Sequence, residues 1–452
     1  MRLEMKNIGL LGKADIEING LTVIAGENDT GKSTIGKVLF SIIKAFTRYS
    51  EDFAEETRKS YFNMLETVYF QLRKYVDFNE HEALRKEFLP PRIFRDIEYS
   101  LDVGNFENID LILSQKIELI KNLNLPTRIM ESTVHTLLNL RSSIIYTNEK
   151  KEYIVKALKL AFMSEFNSEI SNKYIENESL IKCTEGNNKV LEISIIKDQI
   201  DRIEYFDELF FSDATYIESP LVLQMYDAIS KSTAFFEEEE LFTKSSIVHN
   251  RASKKVQIAF HLKDLINKME NAQYFKSFNK QSEEEDIQLF NRISNLIGGD
   301  VSFKKQQRDF VYSKKSIEKD INIKSGNLAT GIKSFGILQL LLKAGLLNER
   351  TLIILDEPEI HLHPKWQVEY CKMIIELVKR DINILVTTHS PYILQALKVF
   401  AENSDMDENR INYYFAEKES GNNHVNIENI NGNLNKAFRK LSEPIQKLVW
   451  EN

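Results

Sequence analysis

The feature that most constrains this chain is the segment 26–33, which reads Gly-Glu-Asn-Asp-Thr-Gly-Lys-Ser. It matches G-x-x-x-x-G-K-[S/T] and lies between a short apolar run, 21–25, and a helical pattern that begins at Ser33. Glycines let the backbone wrap closely around a phosphate, and the helix start adds the positive end of its dipole. The segment therefore predicts a phosphate-binding loop, with Lys32 directed to the β and γ phosphates of ATP and Ser33 to Mg²⁺; the alternative is a chance glycine-rich turn. The expected nucleotide-binding residues are Gly26, Glu27, Asn28, Asp29, Thr30, Gly31, Lys32, Ser33 and Thr34.

A second chemical signal is an apolar strand that ends in two carboxylates. Residues 351–357 read Thr-Leu-Ile-Ile-Leu-Asp-Glu. Ligands of open α/β sheets bind at the carboxyl ends of the strands. We therefore expect Asp356 to hold Mg²⁺ and Glu357 to orient or deprotonate the attacking water. The alternative is a strand followed by an acidic turn without a chemical role.

A histidine follows another apolar strand. Residues 382–388 read Ile-Asn-Ile-Leu-Val-Thr-Thr, and His389, Ser390 and Pro391 come directly after them. A lone histidine at such a place is more often structural. Its position one helix after Asp356 and Glu357 favours a hydrogen bond to the γ-phosphate. The predicted catalytic residues are thus Glu357, His389 and Lys32.

Together these residues resemble the ABC-type P-loop ATPase heads of the SMC, RecF and OLD group. Asn28, the third residue of the phosphate loop, is typical of that group. The run 356–364, Asp-Glu-Pro-Glu-Ile-His-Leu-His-Pro, resembles the Walker B and D-loop region, and 388–391 resembles the switch-histidine segment. These motifs lie within 1–45 and 320–400. The resemblance implies an α/β head with a mixed sheet.

Heads of this group carry a signature loop ahead of Walker B, usually close to Leu-Ser-Gly-Gly-Gln. Ala329 replaces the serine and Thr330 the first glycine, so Thr330 or Ser334 would have to supply the lost γ-phosphate contact. The resemblance implies that this loop caps the ATP of a second protomer, giving a head-to-head dimer or a higher oligomer; the alternative is an ordinary helix N-terminus. The family's Q-loop glutamine is not identified. The signature residues expected to act in trans are Leu328, Ala329, Thr330, Gly331, Lys333 and Ser334.

Strand and helix patterns indicate a nucleotide head interrupted by helical material. The short α/β segments at the two ends are expected to form one mixed sheet together, because neither can close a sheet alone. We find no sustained heptad register in 46–180 or 221–297, which argues against a long coiled coil. The predicted boundaries are 1–45 for the first part of the head, 46–188 for a helical insertion, 189–220 for strands returning to the head, 221–299 for a second helical segment, and 300–452 for the rest of the head.

Composition excludes several functional classes. No apolar run approaches the roughly 18 residues of a membrane helix, and the N-terminus has no apolar signal core. The two cysteines, Cys183 and Cys371, have no metal-type spacing and are expected to be packing residues. The net charge of −8 argues against a globally basic nucleic-acid coat, although a local basic groove is compatible with it. We expect a cytoplasmic protein without a membrane partner.

Size and architecture favour one branch of the group. The segment 390–452 is too short for the Toprim nuclease domain of full OLD nucleases, so no nuclease domain of its own is expected. The chain resembles stand-alone OLD-like ATPases of bacterial anti-phage systems of the Septu and PARIS type, which implies a separate effector such as a nuclease. The alternative is a RecF- or SMC-like DNA-clamping ATPase in DNA repair. Its candidate DNA contacts are Lys304, Lys305 and Arg308, or Arg251, Lys254 and Lys255, although a solvated surface also explains them.

Overall fold

A mixed sheet of eleven strands organises the part of the chain that the computed structural model describes. That part is every residue except 79, 103–104, 146–149, 176, 207–208, 233–257, 273–283, 316–319, 361, 419–423 and 451–452. Its strands are β1 (Arg2–Ile8), β2 (Leu11–Glu17), β3 (Leu21–Gly26), β4 (Ser179–Glu185), β5 (Asn188–Ile196), β6 (Gln199–Tyr205), β7 (Asp213–Ile217), β8 (Asp300–Lys304), β9 (Asp309–Lys314), β10 (Ile321–Lys324), β11 (Thr351–Asp356), β12 (Asn383–Thr388), β13 (Ile411–Lys418) and β14 (Val425–Asn429).

The strand order is β6-β5-β4-β1-β2-β14-β13-β3-β12-β11-β7. β13, β3, β12, β11 and β7 run parallel to one another, while β1, β2, β4, β5 and β6 pair antiparallel. Every residue of β3, β11 and β12 is buried, as expected for parallel strands covered on both faces. β8, β9 and β10 form a separate antiparallel sheet. The predicted α/β fold with a mixed sheet is confirmed.

The chain divides into two compact units, and most helices belong to one of them. Unit 1 is Met1–Thr47 with Ala157–Asn452, and unit 2 is Arg48–Lys156. No helix in the described part of the chain is both long enough and apolar enough to cross a membrane. The helices are α1 (Lys32–Arg73), α2 (Glu82–Phe88), α3 (Pro90–Asp102), α4 (Phe106–Lys121), α5 (Thr127–Ile145), α6 (Lys150–Phe166), α7 (Tyr226–Lys231), α8 (Phe260–Asn271), α9 (Glu284–Ile297), α10 (Thr330–Lys343), α11 (Pro364–Lys379), α12 (Pro391–Glu402) and α13 (Leu434–Trp450).

Unit 2 is helical and has an apolar core of its own. Leu65 from α1, Ile97 from α3, Leu113 from α4 and Leu140 from α5 are buried together. Apolar residues on one face of each helix supply this core, because that face can leave water only by packing against another helix.

One predicted boundary differs from the structure. β4 lies inside the segment 46–188, which is predicted to be a helical insertion, and it pairs antiparallel with β1 as the third strand from one edge of the sheet. Its buried residues alternate as Ser179, Ile181 and Cys183. Because one serine and one cysteine share this buried face, its apolar alternation is too weak to be recognised in the sequence.

A buried network of four charges joins three elements of unit 1. Lys44 of α1 lies 2.7 Å from Asp213 and 2.8 Å from Asp264, and Lys268 lies 2.7 Å and 3.2 Å from the same two carboxylates. Burial opposes the charge on Lys44, but Asp264 and Asp213 together raise its pKa above the ordinary value. Each cation thus has two anions, which fixes α1, β7 and α8 relative to one another.

Lys268→Met should lower the free energy of unfolding of unit 1 by about 3–5 kcal/mol, because it leaves the buried Asp264 and the half-buried Asp213 sharing one cation. The exposed pair of Lys398 with Glu402 on α12 supplies the control: Lys398→Met should cost about 0.5 kcal/mol or less. Urea unfolding followed by tryptophan fluorescence measures both, since both tryptophans, Trp366 and Trp450, belong to unit 1. Equal effects of the two substitutions would contradict a structural role for the network.

Candidate functional site

The predicted phosphate loop connects the buried strand β3 to helix α1. Gly31 has φ +70°, a left-handed conformation that glycine adopts without strain, and Asp29 has φ +59°. The Thr30 hydroxyl donates to the carbonyl of Glu27 at 2.7 Å and closes the loop on itself. α1 then begins at Lys32, so its N-terminal N–H groups lie at the loop.

Lys32 is buried within this loop. Its ammonium donates to the carbonyl of Glu27 at 2.7 Å and lies 3.8 Å from Glu357 Oε1. Burial lowers the pKa of Lys32, and the carboxylates of Glu357 and Asp356 oppose that effect. The lysine therefore connects the phosphate loop to the carboxylates at the end of β11.

Asp356, the last residue of β11, accepts three hydroxyl hydrogen bonds. Ser33 Oγ donates to Oδ1 at 3.1 Å, Tyr216 donates to Oδ2 at 2.7 Å, and the Thr387 hydroxyl also donates to Oδ1. Tyr216 and Thr387 belong to β7 and β12, the two neighbours of β11 in the sheet. The carboxylate is thus held from both sides and brought against the residue that follows Lys32.

Glu357 and His389 follow β11 and β12 and lie side by side. Glu357 has φ +47°, an uncommon conformation for a residue with a side chain, and its N–H donates to the carbonyl of Thr387 at 3.0 Å. His389 Nδ1 is 3.4 Å from Oε1 of Glu357 and 3.4 Å from Oε1 of Glu359. Neither contact has hydrogen-bond geometry, so this buried nitrogen has two carboxylates near it but no hydrogen bond to any residue that the structure describes.

Glu359 connects the Walker B turn to the switch-histidine segment. Its Oε1 accepts hydrogen bonds from the Thr388 hydroxyl at 2.7 Å, the His389 N–H at 2.8 Å and the Ser390 N–H at 3.0 Å. Two of these three donors are backbone N–H groups on either side of the bond between residues 389 and 390. Glu359 therefore fixes the backbone that carries His389.

The predicted signature residues Leu328 to Ser334 lie just before α10 and in its first turn. Lys333 donates to the side chain of Gln224, and the Ser334 hydroxyl donates to the carbonyl of Thr330 at 3.2 Å. A methyl group on Gly331 would come within 2.5 Å of the Trp366 ring, so glycine permits this close approach. Contacts thus join Lys32 to Glu357 and Ser33 to Asp356, and His389 lies beside Glu357, so the five residues form one cluster. The predicted signature residues Lys333 and Ser334 bond elsewhere.

Three residues that contact this cluster were not among the predicted site residues: Tyr216, Glu359 and Thr387. Thr387 and Glu359 lie in the motifs already recognised, at the end of β12 and three residues after Asp356. A sequence signal for Tyr216 existed in the run 214–217, Ala-Thr-Tyr-Ile, which is followed by Glu218, Ser219 and Pro220 and so forms a third strand with polar residues after its carboxyl end. That signal points to the site only when β7 is known to lie next to β11, and the sequence does not show which strands are neighbours.

The oxygen ligands at this place fit magnesium. Mg²⁺ is bound in phosphate-transfer sites by one or two protein oxygens together with phosphate oxygens and water. Ser33 Oγ and Asp356 Oδ1 supply two such oxygens 3.1 Å apart at the start of a helix. Within the described ranges, no group of three or more His, Cys, Asp or Glu side chains is arranged to hold a metal ion.

A buried histidine lies behind the cluster. His261 of α8 contacts Glu165 of α6 through Nδ1 at 2.6 Å and Glu218 through Nε2 at 2.8 Å. Burial opposes protonation, but the two carboxylates prevail and raise the pKa of His261 to about 9. The ring packs edge-on against Tyr216 with centroids 4.7 Å apart, so it lies next to the tyrosine that donates to Asp356.

A family model described as an AAA ATPase domain matches residues 1–394. The match covers most of the chain and includes the phosphate loop, the Walker B strand and His389. The chain belongs to this AAA ATPase domain family.

Two curated relatives are more specific. The chain is 22% identical over 451 residues to Endonuclease GajA of Bacillus cereus (strain HuB5-5), which covers 91% of this chain and 57% of that protein. A stretch of 48 residues is 40% identical to Septu protein PtuA of Bacillus thuringiensis and covers 11% of this chain and 12% of that protein. The chain therefore matches little more than half the length of GajA and a small part of PtuA. The predicted resemblance to P-loop ATPases of anti-phage systems of the Septu type is confirmed.

Solved structures show a distant likeness. The SMC head domain from Thermotoga maritima is 10% identical with a TM-score of 0.36, over 95% of this chain and 98% of that one. The ADP conformation of an ATP-binding cassette of an ABC transporter is 12% identical with a TM-score of 0.29, over 100% and 99% of the two chains. Likenesses of this size carry no argument about the site.

The stability of unit 1 should depend on the charge of His261. Its pKa is about 9 in the folded chain against about 6.5 when unfolded, so protonation stabilises the fold fully below pH 6.5 and this contribution is lost as the pH rises through 9. The loss should approach about 3 kcal/mol between about pH 6 and pH 9.5. Urea unfolding at the two pH values, followed by tryptophan fluorescence, measures it.

His261→Gln should flatten this pH dependence, whereas His135→Gln, at an exposed position of unit 2, should leave it unchanged. An unaltered slope in His261→Gln would show that other groups cause the pH dependence.

Proposed function

We propose that the chain binds Mg-ATP at the cluster around Lys32, Ser33 and Asp356, hydrolyses it, and regulates a partner effector as a dimer or higher assembly in anti-phage defence. The observation that carries this proposal is the 3.1 Å contact between Ser33 Oγ and Asp356 Oδ1, residues 323 positions apart in the sequence. Membership of the AAA ATPase domain family supports the ATP chemistry. The Septu relative supports the defence setting.

Each residue of the cluster has a role that its position allows. Lys32 exchanges its contact with the Glu27 carbonyl for the β and γ phosphates, and the loop N–H groups bind the remaining phosphate oxygens. Ser33 and Asp356 hold Mg²⁺, which neutralises charge on the phosphates when it is bound. Glu357 orients and deprotonates the attacking water. His389, whose backbone Glu359 fixes, donates to the γ-phosphate.

The signature residues act on the ATP of a second protomer. α10 starts at Thr330, and its free N–H groups and dipole favour an anion there. Lys333 adds a positive charge in the first turn, and its bond to Gln224 ties this helix to the segment after β7. ATP bound between two heads would thus draw two copies of the chain together.

The effector is proposed to be a separate protein. GajA, to which the chain is 22% identical, is an endonuclease by name. We propose that a nuclease activity in this system belongs to a partner, which the ATPase holds or releases. Incubating the purified chain with plasmid DNA, Mg²⁺ and ATP tests this proposal, because cleavage by the chain alone would contradict it.

Glu357→Gln should retain ATP binding within about 2-fold and lose hydrolysis by about 100-fold or more, because it removes a general base without changing the shape of the site. It should also accumulate the ATP-bound dimer. Phosphate release, equilibrium titration with a fluorescent ATP analogue, and light scattering with ATP measure the three properties.

Glu369→Gln is the matched control, since the side chains of Glu357 and Glu369 are each 23% exposed and Glu369 pairs with Lys372 on α11. It should hydrolyse ATP at the wild-type rate. Wild-type turnover in Glu357→Gln would remove Glu357 from the catalytic role.

The alternative of a DNA-clamping ATPase gives a different result. Lys304, Lys305 and Arg308 are exposed in the β8–β9 hairpin, whereas Arg251, Lys254 and Lys255 lie outside the described residues. We expect DNA to leave ATP turnover unchanged between about 50 and 200 mM salt. Stimulation by DNA that falls steeply with salt and disappears in Lys304→Ala/Arg308→Ala would favour the clamp instead.

A further inference from the structure

Tyr216 is the residue whose position the proposed chemistry does not yet explain. It lies in β7 with a side chain that is 1% exposed, and its hydroxyl donates to Asp356 Oδ2 at 2.7 Å. A phenol is protonated at neutral pH, so its hydroxyl is the donor in this contact with the carboxylate. A tyrosine in a buried strand needs a partner for its hydroxyl, and this one has a carboxylate at the phosphate loop.

Three neighbours fix the Tyr216 ring. A methyl group on Gly36 of α1 would come within 2.6 Å of the ring, so glycine in the second turn of this helix makes room for it. Phe40 of the same helix and His261 of α8 pack against the ring, with centroids 6.1 Å and 4.7 Å away. The hydroxyl therefore reaches Asp356 from a ring with little freedom to move.

The hydrogen bond from Tyr216 affects the orientation of the Asp356 carboxylate. Its two oxygens are divided: Oδ2 accepts from Tyr216, and Oδ1 accepts from Ser33 and Thr387. Without the tyrosine hydroxyl, Oδ2 would be a buried oxygen without a donor, and the carboxylate would gain by rotating toward another one. Hydrogen bonds from outside a metal site commonly orient its carboxylate ligands in this way.

We propose that Tyr216 is a positioning residue. Its hydroxyl holds Asp356 Oδ2, so that Asp356 Oδ1 faces Ser33 and is placed, together with Ser33 Oγ, to bind Mg²⁺. The proposal rests on the proposed function, because it requires Asp356 to be a magnesium ligand. It adds β7 to the strands that build the site, and it gives Gly36 a role as the residue that admits the Tyr216 ring.

Tyr216→Phe tests the proposal, since it removes one oxygen and keeps the ring. The affinity for a fluorescent ATP analogue is measured by titration with excess Mg²⁺ and again with excess EDTA. In Tyr216→Phe the ratio of the two affinities should fall about 10-fold relative to wild type, while the affinity in EDTA stays unchanged. The magnesium concentration that gives half-maximal ATP hydrolysis should rise by a similar factor.

Tyr312→Phe is the matched control. It removes another buried tyrosine hydroxyl, which donates to the carbonyl of Ile297 at 2.8 Å and belongs to the separate sheet of β8, β9 and β10. It should leave the Mg²⁺-to-EDTA ratio at the wild-type value.

The outcomes separate this proposal from the one on which it rests. A Tyr216→Phe protein with the wild-type ratio, or one that loses affinity equally in Mg²⁺ and EDTA, overturns the positioning role and leaves the ATP site standing. A wild-type chain whose affinity for the analogue is the same with Mg²⁺ and EDTA overturns both.

Discussion

The hydrogen bond between Ser33 and Asp356 is the contact on which the site depends. It joins the start of α1 to the end of β11, and it exists because β3, β12 and β11 are parallel neighbours whose carboxyl ends meet at one edge. The fully buried side chains of these strands hold that alignment, and the approach of Lys32 to Glu357 follows from it. A shift of β11 by one residue would turn Asp356 to the other face of the sheet.

Charge favours Mg-ATP over ATP alone as the ligand that we propose for this site. The carboxylates of Asp356, Glu357 and Glu359 lie near one buried lysine, and hydroxyl and N–H donors bond to Asp356 and Glu359. A triphosphate brings several more negative charges to the same place, where low solvent exposure makes repulsion strong. A divalent cation between Asp356 and the phosphates offsets that repulsion, which one lysine cannot do.

The sequence was enough to predict the residues within each short motif, but it did not predict the contacts between neighbouring strands of the sheet. The phosphate loop and the Asp356-Glu357 pair could be recognised because the residue types and spacing within each short run indicate what it binds. Tyr216 and Thr387 could not be assigned, because their importance comes from β7 and β12 flanking β11, an order fixed by packing among strands distant in sequence. β4 was missed for a related reason: its buried face of Ser179, Ile181 and Cys183 gives little apolar alternation.

The helices around β7 give the site a rigid support. Glu165, at the end of the helix that carries the chain out of unit 2, binds His261, and His261 contacts both Glu218 and the ring of Tyr216. One buried cation thus joins α6, α8 and the end of β7 directly behind Asp356. A positively charged His261 is held in place by two carboxylates, and an aromatic ring wedged between it and α1 has few alternative positions. The orientation of Asp356 therefore depends on the packing of the helices behind it as well as on the phosphate loop in front.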